Sequence, residues 1–126
     1  MKENGWIGVD LDGTLAVYDK WEGIGVIGEP IPLMRQRVIN WLAEGKDVRI
    51  MTARASTEYA EEEILAIRKW CLEHLGQELE VTCIKDRYME ELWDDRAVQV
   101  VPNTGLRADG VIDSPAEPGD IGAVMT

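Results

Sequence analysis

The stretch Trp6-Ile7-Gly8-Val9-Asp10-Leu11-Asp12-Gly13-Thr14-Leu15 decides how this chain is read. Ile7 and Val9 suit a buried strand, and Gly13 permits the sharp turn that must follow it. Asp10 then stands at the carboxyl end of a strand, the edge where open α/β sheets bind their ligands. Two carboxylates placed there are costly in a partly dry crevice unless something pairs with them. A hard divalent cation satisfies both, and Mg²⁺ in particular is held by one or two carboxylates together with phosphate oxygens.

Beyond this stretch, residues 16–31 set Gly23, Gly25, Gly28 and Pro30 among Tyr18, Trp21, Ile24, Val26 and Ile27. That spacing fits a loop or small β-hairpin, its aromatics either a flap over the site or part of the core. Pro32 opens a helix at a favoured early position, Met34, Val38, Trp41 and Leu42 share one face, and Gly45 is the expected C-terminal cap. Val48–Met51 reads as a second strand that delivers Thr52 to its carboxyl end. A long helix is expected from Ser56 or Thr57 to Leu75, with Gly76 beyond it and an apolar stripe of Ala60, Ile64, Ile67, Cys71 and Leu75. Glu61, Glu62 and Glu63 in its first turns suit the helix dipole and read as a solvated face. His74, near its end, reads as a cap or surface residue.

Leu79–Ile84 reads as a third strand ending at Lys85-Asp86, and Glu91–Trp93 as a short fourth one ending at Asp94-Asp95-Arg96. Residues 97–101 fit a helical turn or a strand equally, and Val111 and Ile112 offer a last edge strand. The order predicts an α/β domain with a mainly parallel sheet, its strand ends gathered on one edge by right-handed crossovers. The expected domain covers 1–112, with a flexible tail over 113–126 that is rich in Pro and Gly.

A chain of 126 residues has room for one core, and its net charge of −11 disfavours extended contacts with nucleic acid or an anionic membrane. A local cationic pocket for one phosphate remains compatible with that charge. Cys71 and Cys83 lack CxxC spacing and read as reduced core residues. No apolar run is long enough to span a membrane, and the start precedes a strand rather than a signal-peptide core, so a cytoplasmic protein is expected.

Four strand ends thus present Asp10 with Asp12, Thr52, Lys85, and Asp94 with Asp95. In that order the chain resembles the haloacid-dehalogenase-like phosphohydrolase superfamily, over roughly residues 5 to 100. Asp10-Leu11-Asp12-Gly13-Thr14 matches its DxDGT motif, Thr52 the hydroxyl after its second strand, Lys85 the lysine before its fourth, and Asp94-Asp95 its closing acidic pair. The resemblance implies a three-layer Rossmann-like fold and a Mg²⁺-dependent phosphomonoesterase acting on a nucleotide, a 3′-phosphorylated nucleic acid end or another small phosphate, without naming which. In it Asp10 is the nucleophile that becomes an aspartyl-phosphate, and Asp12 the acid–base partner. Asp94 is the first-choice Mg²⁺ ligand, Asp95 a second or supporting one, and the Asp12 backbone carbonyl a further one. Thr52 and Lys85 bind the phosphoryl group.

The chemistry independently favours these residue types, because a carboxylate attacking a phosphate dianion needs cations to offset repulsion and an acid for the leaving alkoxide. Arg54 either reaches the substrate phosphate or pairs with a carboxylate at the rim, and Arg96 reads as a structural ion-pair partner. Too few residues separate the motifs for a cap domain, so at most a hairpin flap covers the site. The Asp94-Asp95-Arg96 run and Arg68-Lys69-Trp70 are also similar to the 3′-phosphatase domain of phage polynucleotide kinase and to deoxyribonucleotidases.

Two other readings use the same fold. A receiver-like signalling domain also gathers acids, a Thr and a Lys around an aspartyl-phosphate. It carries its acidic pair on the first strand and its phosphoacceptor on the third, whereas here the pair comes last. A non-catalytic phosphate-binding or assembly module is the other alternative.

Overall fold

A computed structural model of the protein describes residues 5–112. The chain divides between Asp95 and Arg96 into two compact units. The expected tail over 113–126 lies outside the described residues.

The first unit is a Rossmann-like α/β fold, as expected. Its elements run β1 (Trp6–Val9), α1 (Pro32–Ala43), β2 (Val48–Met51), a single 3₁₀ turn (Ala53–Ser56), α2 (Ala60–Leu75), β3 (Val81–Thr82) and β4 (Met89–Trp93). The four strands form one all-parallel sheet in the order β3-β2-β1-β4. β1 to β3 step outward in one direction, and β4 returns to the other side of β1. The strand order therefore reverses between β1 and β4, the position at which such sheets form a ligand crevice. No cap domain interrupts the described residues.

Every residue of β1 is buried. Ile7, Val9, Val48 and Ile50 pack with Met34 and Val38 of α1 and with Ile67, Trp70, Cys71 and Leu75 of α2 into one apolar cluster. Leu11, Leu15 and Ala16 carry this core through the turn after β1. α1 begins at Pro32, whose missing N–H would be unpaired there in any case. It ends in a Schellman arrangement: Lys46 N–H donates to the Trp41 carbonyl and Gly45 N–H to that of Leu42, with Gly45 at φ +81°. α2 closes on Gly76 in the left-handed conformation.

Several boundaries differ from expectation for local reasons. α2 starts at Ala60 rather than at Ser56 or Thr57, because side-chain hydroxyls redirect the backbone before it. Thr52 Oγ1 accepts from Arg54 N–H, Ser56 Oγ donates to the Ala53 carbonyl, and Thr57 Oγ1 accepts from Tyr59 N–H. β3 is only Val81–Thr82, since Thr82 Oγ1 accepts from Ile84 N–H and turns the chain away. β4 starts two residues earlier than read, with an irregularity in its pairing between Trp6 and Ile7. Its exposed Glu90 and Glu91 suit a sheet edge that must not recruit another strand.

Residues 16–31 form a loop closed at its base by an isolated Ala16–Pro30 bridge, a minimal version of the expected hairpin. Gly28 is required there, because a Cβ at that position would collide with the Val17 carbonyl oxygen. Cys71 and Cys83 are unpaired thiols, and burial pushes Cys71 up to about 12.

In the second unit, Val100 and Arg107 make an isolated antiparallel bridge around a turn with Asn103 at φ +66°, so residues 97–101 are neither helix nor regular strand. Val111 and Ile112 form no edge strand among the described residues, and Ile112 is exposed there.

Ile50 lies at the centre of the core on an interior strand. Ile50→Ala is expected to lower stability by about 2–5 kcal/mol in urea unfolding, whereas Leu65→Ala on the exposed face of α2 should stay within about 0.5 kcal/mol.

Candidate active site

Backbone pairing brings the acidic segments together. Val9 lies opposite Trp93, and Asp10 N–H donates to the Trp93 carbonyl at 2.9 Å, so Asp10 and Asp94 leave the sheet side by side. The carboxylates of Asp10, Asp94 and Asp95 offer oxygens that all lie within 4.8 Å of one another. Asp95 is held by a reciprocal pair with Thr14: Thr14 Oγ1 donates to its carboxylate at 3.1 Å and accepts from its N–H at 2.9 Å. Gly13, at φ +90°, makes room for this carboxylate, since a Cβ there would sit 2.6 Å from Asp95 Oδ2. The DxDGT segment thus supplies a backbone shape and a hydroxyl as well as two acids.

Burial, the charge of neighbouring Asp94 and a hydrogen bond with Asp95 raise Asp10 from the ordinary 3.8 to about 7. Asp10, Asp94 and Asp95 are the hard oxygen donors that could hold a metal ion.

The Asp12 carboxylate faces a different partner. Arg54 Nε donates to Asp12 Oδ2 at 2.8 Å and Nη2 to Oδ1 at 2.9 Å, a bidentate fork. Of the two expectations for Arg54, pairing with a carboxylate is the one observed. The guanidinium is 7% exposed. Burial disfavours its charge, but Asp12 and Glu63 more than offset this and its pKa rises. Its Nη1 donates to Glu63 Oε1 at 3.0 Å, and Nη2 also donates to the Val26 carbonyl at 2.8 Å.

Glu63 corrects the expectation of a solvated glutamate face. It is 2% exposed, while Glu61 and Glu62 are exposed as read. The signal was available, because Glu63 is in helical phase with Ile67, Trp70 and Cys71 on the buried side of α2.

Thr52 is buried at the end of β2, and its N–H donates to the Thr82 carbonyl. Lys85 is exposed in the β3–β4 connection, and among the described residues it makes no salt bridge to the acidic cluster. The Trp6 indole N–H donates to Asp86 at 2.8 Å and so anchors that connection to β1. His74 lies half-buried in the last turn of α2, its ring tilted against that of Trp70 with centroids 4.7 Å apart.

Two hollows flank the acids. One, of about 300 Å³, runs along the 16–31 loop and is lined by Asp12, Tyr18, Lys20, Glu22, Glu29 and Arg54 among others. The other, about 290 Å³, is lined by Thr14, Arg37, Trp93, Asp94 and Asp95 among others. Arg37, 5.2 Å from the Trp93 ring, is a cation beside the acidic pair that sequence reasoning missed. Trp21 stacks 4.9 Å from the Arg54 guanidinium and is 53% exposed, so it belongs to the site's rim and not to the core.

No family model and no curated protein matches this sequence. A solved structure of a conserved protein coded by a locus from Bacteroides thetaiotaomicron is similar in fold, with a TM-score of 0.53 and 24% identity over 80% of this chain and 84% of that one. None of the helices among the described residues is long and apolar enough to cross a membrane.

The raised Asp10 pKa has a definite consequence for stability. The folded state binds this proton more tightly than the unfolded chain, so the contribution is intact below about pH 4 and is lost as pH rises through about 7. In chelator, Asp10→Asn should melt like wild type at pH 4 and several degrees above it at pH 8. Equal melting temperatures at both pH values would contradict the burial and crowding described for Asp10.

Proposed function

We propose that the protein is a Mg²⁺-dependent phosphomonoesterase that turns over through an aspartyl-phosphate on Asp10. The observation that carries this reading is the convergence of Asp10, Asp94 and Asp95 at the strand-order reversal, with Asp12 held separately two residues on. Mg²⁺ at the three carboxylates would offset the negative charge that Asp10 and a phosphate dianion bring together.

Asp10 Oδ attacks phosphorus as the bond to the leaving oxygen breaks, which leaves the phosphoryl group on the carboxylate. Asp12 is the proposed proton donor to the departing alkoxide, a step that requires its carboxylate to take up a proton and leave the fork in which both of its oxygens accept from Arg54. It then takes a proton from water, whose oxygen attacks phosphorus and returns Asp10 with release of inorganic phosphate. Thr52 offers its hydroxyl hydrogen to a phosphoryl oxygen while its oxygen caps Arg54 N–H. Lys85 supplies a cation to the phosphoryl group from the β3–β4 connection. The substrate's remainder lies in the hollow beside Tyr18 and Glu29, which adjoins Asp12. The net charge of −11 favours a small phosphate ester over a long nucleic acid as substrate.

Hydrolysis of a small aryl phosphate should require Mg²⁺ and stop on chelation. Asp10→Asn is expected to lose at least about 10³-fold in turnover, and unchanged turnover would overturn the nucleophile assignment. Asp12→Asn is expected to lose about 10²- to 10⁴-fold or to accumulate phosphoenzyme detectable by mass spectrometry. Independently of turnover, saturating Mg²⁺ at pH 8 should raise the melting temperature of wild type and leave that of Asp10→Asn unmoved.

A further inference from the structure

The most deeply buried charge outside the acidic cluster is Glu63, and nothing in the proposed chemistry uses it. A carboxylate 2% exposed is expensive to bury unless each oxygen's environment repays it. Its Oε1 accepts from two directions: Arg54 Nη1 at 3.0 Å and Gly25 N–H at 2.8 Å. Arg54 in turn clasps Asp12 with one edge of its guanidinium and takes the Val26 carbonyl with the other. α2, the turn after β2, the turn after β1 and the tip of the 16–31 loop therefore meet in one buried hydrogen-bonded unit.

The contacts give that unit a direction. Arg54 has several rotatable bonds, and a fork on Asp12 alone would leave it free to swing with the carboxylate. Glu63 fixes the far side of the guanidinium from a rigid helix. Gly25 and Val26 then bond to the same two side chains that determine where Asp12 points. We propose that Glu63 is a positioning residue for Asp12, acting through Arg54, and that the unit makes the pose of Asp12 depend on the 16–31 loop that lines the adjoining hollow. This deepens the phosphomonoesterase reading and rests on it for its catalytic consequence. The mechanical link is a property of the fold and stands apart from that reading.

The coupling gives the loop a role beyond covering the site. A substrate that displaces Val26 or Gly25 pulls on Arg54, and a substrate that leaves them in place meets Asp12 already oriented. Discrimination between leaving groups would then be felt in turnover more than in binding, because a misplaced acid slows the step it serves.

The test uses the full chain and three variants. Glu63→Gln keeps the volume and a neutral acceptor, Glu63→Leu removes both bonds, and Gly25→Ala strains the loop at φ +76° without touching either charged side chain. In metal-free protein, hydrogen exchange by NMR should show the Gly25 amide and the Arg54 Nε–H protected in wild type. Both should exchange at least about tenfold faster in Glu63→Leu, with Glu63→Gln between. With an aryl phosphate and Mg²⁺, kcat per folded molecule should fall about tenfold in Glu63→Gln and about 10²-fold in Glu63→Leu while KM stays within about twofold. Gly25→Ala should lower kcat in the same sense.

Unchanged Arg54 Nε–H exchange in both Glu63 variants overturns the link. So does a kcat loss that disappears on correction for folded fraction, or a change confined to KM. If Glu63→Leu does not fold, Glu63→Gln and Gly25→Ala still decide the outcome. A wild-type protein with no hydrolytic activity defeats the enzyme reading alone, and the exchange measurements still decide whether Glu63 and the loop hold Arg54.

Discussion

Repulsion among Asp10, Asp94 and Asp95 is the interaction around which the sheet edge is arranged. Pairing of β1 with β4 fixes the start of both acidic segments, because the Asp10 N–H is itself committed to the Trp93 carbonyl. The carboxylates cannot separate without breaking that ladder. Thr14 and the space left by Gly13 hold Asp95 against the group as well. Burial and this crowding of negative charge raise Asp10 from 3.8 to about 7.

Asp12 shows how far two acids in one turn can be driven into different surroundings. Asp10 faces anions, while Asp12 receives the Nε/Nη2 edge of a buried guanidinium. The bidentate geometry has a structural cost as well. Arg54 must be buried to reach Asp12, and once buried it needs a second anion, which Glu63 supplies from α2.

Local signals were the legible part of the sequence. The apolar run before Asp10, the Pro32 start, the Gly45 and Gly76 caps and the placement of Thr52 each follow from backbone chemistry within a few residues. The parallel sheet followed from the alternation of strands and helices. Hydroxyl-to-backbone bonds blurred the boundaries: Thr57 delayed α2 and Thr82 cut β3 short. Glu63 was misread because three successive glutamates in a first helical turn look solvated as a block. Its helical phase with Ile67 and Cys71 carried more information than its charge. Arg37 was missed because its importance depends on α1 lying beside Trp93, a contact that no local pattern encodes. Lys85 reached the expected connection by sequence position, but its side chain is exposed there.

The loop after β1 completes the arrangement. α2 grips it at Gly25 through Glu63 and at Gly28 through the Trp70 indole, Arg54 holds Val26, and the Ala16–Pro30 bridge closes its base. Between the bridge and Gly25 run Tyr18 and Trp21, both exposed, with Trp21 stacked on Arg54. Anchors on both sides leave a short aromatic span facing the hollow and little slack for the loop to swing as a whole. A loop held in this way brings its contacts to a ligand with little ordering cost, which favours a site set in advance over one assembled by closure. The same side chains that impose this order also hold Asp12, so loosening the loop to admit a larger leaving group would loosen the acid with it.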